Sequence, residues 1–352
     1  MNLASLLRKC LPAALALACA SSVLAQAPAP RVIRVGEGPF ITGGGFYVAR
    51  DKGYFEKMGV KVETRMFNDG ALAVPAMVAG ELDITYMTAN ASLFNSIARG
   101  APLVIFLDRG YNRPGRGYVA TNVSQELAAQ GVRSIADLAK LKGGRIGIGA
   151  LGSINQYNTA RALQKAGLDP RTDVRWIANI PQPDLMKMLG QKQLEATDLA
   201  YQFSYLAEQS QWGPIVATAD QIEPGSQLAT YAVRKDFLKN NRETLVRFAM
   251  AYLQGVKEFN AAAIAPDANP EIVAILARNA LGKPELVKAI APHWSYTNEN
   301  GEPQVDSILR MQDFWADYFK YVEKKVGKAQ LFDLSVAAEA TQRLVKENPF
   351  GK

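Results

Sequence analysis

One order of elements, strand–helix–strand–helix–strand, occurs twice along this chain. In the first run VIRVGE (32–37) reads as a strand, and TGGGFYVARDKGYFEKMG (42–59) as a Gly-rich turn and a helix that stops at Gly53 or Gly59. VKVETRMF (60–67) has the two-residue period of a strand and ends at the turn Asn68-Asp69-Gly70. ALAVPAMVAG reads as a short helix that Pro75 is expected to kink. ELDITYM is a strand, ASLFNSIARG a helix, and the wholly apolar PLVIFL (102–107) a strand in the middle of a covered sheet. In the second run GRIGIG (144–149), DVRWIANI (173–180) and QLEAT (193–197) are the strands. INQYNTARALQKAG and PDLMKMLGQ are the helices between them, and Asp198 to Tyr205 leads into a further helix. EKMG (56–59) resembles QKAG (164–167), and MVAGELDIT (77–85) resembles MLGQKQLEAT (188–197), so the runs share one plan. Alternation of this kind implies two lobes, each built on a mostly parallel sheet covered by helices.

The Gly- and Pro-rich LDRGYNRPGRGYVAT (107–121) separates the runs, and QLATYAVRKDFL (227–238) supplies a late strand. The chain is therefore expected to cross between lobes near 108–117 and near 225–238. From Arg242 onward the pattern is helical, with Leu245, Phe248, Tyr252 and Val256 on one face, and Ile308, Trp315 and Phe319 on another. These aromatics read as core. The expected division is 1–25 leader, 26–30 spacer, 31–112 first lobe, 113–235 second lobe and 236–352 a helical segment packed mainly on the first lobe.

The leader rests on Arg8 and Lys9, the apolar run LPAALALACA (11–20), and Val23-Leu24-Ala25 before Gln26, the arrangement of a cleaved export signal. Both cysteines, Cys10 and Cys19, lie inside it. The mature chain is then expected to be periplasmic and to hold no disulfide, thiol nucleophile or cysteine metal site. Lipid anchoring at Cys19 is the lesser alternative. The formal charge of +7 falls to +5 once Arg8 and Lys9 are removed, and the basic residues are interleaved with acidic ones. That argues against a nucleic-acid surface. His293 is the single histidine, so neither a histidine-based metal site nor a Ser-His-Asp arrangement is expected, and the reading is of a non-enzyme without cofactors.

Several stretches carry a resemblance. KGYFEK (52–57), Asp69-Gly70, GELDI (80–84), ARGAPL (98–103), SIADL (134–138), KGGRIG (142–147) and KAGLDP (165–170) are similar to the periplasmic solute-binding proteins of ABC importers, specifically the nitrate/sulfonate/taurine group. That group also includes proteins for pyrimidine precursors and aromatic carboxylates. The chain departs from it at Glu195, where Asp is usual, and at Pro75. The resemblance covers about residues 31–260 and implies a two-lobed periplasmic-binding-protein fold (type II-like, α/β). It also implies a small-molecule ligand, a membrane permease as partner, and capture by lobe closure. A monomer is expected. A ligand-sensing module for a signalling partner is the alternative role.

In open α/β sheets ligands lie off the carboxyl ends of the strands. The candidate contacts are therefore Thr42, Gly44, Gly45, Phe46, Asn68, Asp69, Thr88 and Asn90 in the first lobe. In the second they are Gly152, Ser153, Asn155, Tyr157, Asp198 and Tyr201. RIGIGALGSINQYNTARALQKAGL (145–168) hands a strand to a helix through small and hydroxyl residues, leaving N–H donors at the helix head. Arg109, with Arg113 and Arg116, can supply countercharge from the first crossover. Tyr157, Tyr201, Phe203 and Tyr205 can cover an apolar body. Together these favour a small organic anion, a sulfonate or aromatic carboxylate, with a pyrimidine or nitrate as the alternative. Export with cleavage predicts that mass spectrometry of periplasmic protein finds a chain starting at Gln26. An intact Arg8–Lys9 leader there would overturn it.

Overall fold

The computed structural model describes residues 31–351, so the expected leader and spacer, with Cys10 and Cys19, lie outside the described residues. Ten strands follow: β1 (Arg31–Glu37), β2 (Val60–Met66), β3 (Ile84–Met87), β4 (Leu103–Asp108), β5 (Val119–Val123), β6 (Arg145–Gly147), β7 (Arg175–Ile177), β8 (Ala196–Ala200), β9 (Ile215–Thr218) and β10 (Thr230–Arg234). They form two five-stranded sheets, ordered β2-β1-β3-β10-β4 and β7-β6-β8-β5-β9. The two orders correspond strand for strand. In each, the first strand of the run pairs in parallel with the second and third. One antiparallel strand then fills the slot before the fourth, β10 in one sheet and β5 in the other. That strand is the one arriving from the opposite lobe.

β10 therefore belongs to the first sheet, and the lobe boundary expected at 235 falls before Thr230, whose partners are Met87 and Asp108. The reason is burial: Tyr231, Ala232 and Val233 fill the gap between two apolar strands. β9 was not among the expected strands. Four residues following Gly213-Pro214 are too few to show a period. Pro75 does not kink its helix, because it sits in the first turn of Val74–Val78, where its missing N–H has no partner to lose.

The crossovers run beside each other as a hydrogen-bonded pair. Arg109 N–H donates to Ala229 O (3.0 Å), Leu228 N–H to Gly110 O (2.9 Å) and Asn112 N–H to Ser226 O (2.9 Å). Buried Gln227 ties them through Nε2, which donates to Asp108 Oδ1 at 2.7 Å and to Gly110 O at 2.8 Å.

The helical segment packs its long helix, Arg242–Ile264, on Gly44–Asp51 over a shared aromatic core in which Phe55 and Phe248 stack at 4.9 Å. The segment also reaches the second lobe. Helix Val305–Asp313 and the π-turn Phe314–Tyr318 place Phe314 against Tyr157 at 4.9 Å. Tyr318 OH donates to Asp169 Oδ1 at 2.5 Å, and Arg310 Nε meets Glu223 Oε1 at 3.2 Å. Trp315 and Ile308 are fully buried, as core residues should be.

The long helix packs tightly on its neighbour at Gly255, where an added Cβ would lie 2.1 Å from Gly45 O and 2.8 Å from Ala49 N. Backbone cannot rotate away. Replacing Gly by Ala inside a helix ordinarily gains about 1 kcal/mol. Here Gly255→Ala is expected to lose about 1–3 kcal/mol through overpacking. Chemical denaturation measures the sign, and a gain would contradict this packing.

Candidate functional site

Between the sheets lies a cavity of about 60 Å³ that includes Thr42, Asp69, Thr88 and Arg109 from one lobe and Ile154, Asn155 and Gln182 from the other. It adjoins a vestibule of about 310 Å³ walled by Pro39, Leu72, Ile180, Pro181, Pro183 and Phe203. Phe40, Asn68, Asp69 and Gln182 border both spaces, so they form the neck. The inner space suits a head group, and the apolar outer one suits a larger body.

The floor is a buried ion pair. Arg109 Nη2 donates to Glu37 Oε1, and Nη1 to Thr42 Oγ1 at 2.6 Å. Glu37 accepts two further donors, Gly38 N–H at 2.9 Å and the Tyr231 hydroxyl. The guanidinium lies 4.5 Å from the centre of the Tyr86 ring. Burial works against its charge, but Glu37, together with Tyr231 and Tyr47, offsets that and holds the group above its ordinary range. Arg109 lines the cavity, and its Nε is buried without a protein partner.

At the neck, Asp69 ends the turn after β2. One carboxylate oxygen accepts from Ala71 N–H at 2.8 Å, capping the short helix Gly70–Ala73. Burial raises its carboxyl above the usual range, and that single N–H only partly counters the effect. Across the cavity, helix Ile154–Lys165 starts at Ser153, whose hydroxyl accepts from Gln156 N–H. Asn155 holds the helix head to β8 by donating Nδ2 to Asp198 Oδ1 at 2.8 Å.

Six of the expected residues border the cavity: Thr42, Asn68, Asp69, Thr88, Arg109 and Asn155. The others sit elsewhere. Gly44 and Gly45 face Phe259 and Val256 of the long helix, and Phe46 is core. Asn90 caps helix Ala91–Ala98, and Gly152 O accepts from Ala91 N–H at 3.1 Å, a bond between the lobes. Tyr157 donates to Glu223 Oε2 at 2.6 Å. Tyr201 stacks on His293 at 3.8 Å beside the crossovers, and His293 Nδ1 lies 3.2 Å from Gly117 O. Arg113 lies over Tyr296, and Arg116 donates to Ala263 O and Ala291 O, so neither adds charge to the cleft. Asp198, expected in a post-strand loop, is inside β8, which runs on to Ala200 because β5 continues to pair with it.

Phe40, Tyr86, Tyr118 and Gln182 were not expected. Gln182 follows β7 and was within reach of the same post-strand argument. Tyr86 and Tyr118 lie in or beside strands, where no loop signal marks them. Among the described residues no group of three or more His, Cys, Asp or Glu side chains is placed to hold a metal, and no helix is long and apolar enough to cross a membrane.

Two lobes of one plan, a hinge of two crossovers and a cleft off the strand ends define the periplasmic-binding-protein fold. The comparisons agree. Residues 26–277 match the model of the NMT1-like family, and the chain belongs to that family. The nitrate-binding protein of Synechocystis superposes with a TM-score of 0.74 at 14% identity, over 92% of this chain and 91% of that one. The alkanesulfonate-binding protein of Xanthomonas axonopodis, bound to MOPS, gives 0.69 at 16% identity, over 87% and 99%. A Brucella abortus protein provisionally described as a binding protein is 26% identical over 190 residues, 54% of this chain and 50% of that one. The chain thus matches about half the length of that relative.

Asp198 is fully buried and accepts from Thr121, Asn155 and Asn158, yet burial pushes its carboxyl up to about 7. The folded value lies above the unfolded value of about 3.9, so ionisation opposes folding. Stability from this group is full below about pH 4 and is lost as pH rises towards 7. Asp198→Asn never ionises. Its thermal midpoint is expected to gain on the parent's between pH 5 and pH 8, whatever its absolute value. Parallel curves would contradict the assignment.

Proposed function

We propose that this chain is an extracytoplasmic solute receptor that captures a small organic acid, of the sulfonate or aromatic carboxylate class, and presents it to the permease of an ABC importer. The observation that carries the reading is Arg109, which lines the cavity and keeps a buried Nε donor without a protein partner. A buried unsatisfied N–H is costly, and an acid oxygen would satisfy it. Thr42 on the same lobe and Gln182 on the opposite one add neutral polar groups to the cavity lining. Because Glu37 already balances the guanidinium, the acid would be held by directed hydrogen bonds more than by net charge. That two structural neighbours are a nitrate-binding and an alkanesulfonate-binding protein supports an oxyanion head. The apolar vestibule supports an organic body over bare nitrate.

Capture would proceed by lobe rotation about the two crossovers. Export through the leader, removed before Gln26, would deliver the chain to the compartment where such receptors work.

Thermal-shift and calorimetric titration of the chain from Gln26 tests the reading. The panel holds benzoate, phthalate, alkyl sulfonates, nitrate and an aminopyrimidine. A ligand that binds the folded state raises the midpoint by mass action. Organic acids with an apolar body are expected to bind and nitrate to fail. Binding of nitrate alone, or of the aminopyrimidine alone, would overturn it.

A further inference from the structure

The two carboxylates at the cavity floor and neck are treated differently by the protein. Glu37 receives a guanidinium, a phenol hydroxyl and a backbone N–H. Asp69, bordering both the inner space and the vestibule, receives one backbone N–H. No cationic side chain among the described residues forms a salt bridge with it; burial raises its carboxyl, and the Ala71 N–H works the other way. A carboxylate oxygen with so few donors, drawn into a closing cleft, is costly unless the occupant supplies one.

Its position is also set in advance. The Ala71 bond orients the carboxylate, and Gly70 is pressed onto β3 so closely that a Cβ there would meet Tyr86 O at 2.8 Å. The turn cannot lift without breaking that packing. Arg109, with its unpartnered Nε donor, and Asp69, with its under-served acceptor, border one cavity. An occupant that satisfies both has an acceptor at one end and a donor nearer its apolar body.

We infer that Asp69 favours organic acids that also carry an amine or ammonium N–H, so that these bind more tightly than the corresponding plain acids. The inference rests on the organic-acid reading above and narrows it.

The test uses matched pairs that differ only by an amino group: 4-aminobenzoate against benzoate, and phenylalanine against 3-phenylpropionate. Each is titrated calorimetrically into the unaltered protein and into Asp69→Asn, which keeps an oxygen for the Ala71 cap. A hydrogen bond to a charged group corresponds to roughly tenfold or more in affinity. In at least one pair the amino member is expected to bind about tenfold tighter to the unaltered protein, with the preference falling to about threefold or less in Asp69→Asn. Asp69→Ser, which can also cap, is expected to behave as Asp69→Asn does.

Equal binding of both members of every pair overturns this inference and leaves the organic-acid reading in place. So does a preference that survives in both variants. Binding of no acid from either pair, together with none from the earlier panel, overturns both readings.

Discussion

The ion pair of Glu37 and Arg109 is the point on which the architecture turns. Glu37 ends the first strand, and Arg109 begins the first crossover. Tyr231 contributes from the returning strand, and Thr42 from the turn before the first helix. One charged contact thus joins sheet, helix and hinge at the base of the cleft. Charges buried in this way are costly unless each receives its partners, and here Glu37 receives three. Removing either member would leave the other stranded in the interior. The pair also determines what the cleft can offer a solute, since the positive charge nearest the cavity is already matched.

The two-lobe plan was legible because it is written in periodicity and order. Alternating Val60, Val62 and Thr64, and the unbroken apolar run before Leu107, identify strands without any tertiary knowledge. The hinge was legible from Gly and Pro between the runs. Strand partners were not. Only the empty slot between β3 and β4 explains why Thr230 to Arg234 leaves the second lobe. Four-residue β9 has too little pattern to be seen.

The site was legible at the level of loops and less so at the level of side chains. Asn68, Asp69 and Thr88 follow strands and border the cavity. Gly44, Gly45 and Phe46 follow a strand too, but the helix they begin is turned against the long helix by the Gly255 contact. Tyr157 offered an aromatic cover for a ligand and instead found Phe314 and Glu223, on segments more than sixty residues away in sequence. Such pairings depend on tertiary packing that local pattern does not encode. Arg113 and Arg116 show the same limit: a positive residue near a hinge has many carbonyls and rings to face.

Pro39, Pro181 and Pro183 stand around the vestibule, one from the first lobe and two from the second. Each has its φ fixed by its ring, whether or not the cleft is occupied. At these three points the rim keeps little backbone freedom for an arriving solute to remove. A stiff solute passing between them would meet a rim that gives up little freedom at those positions.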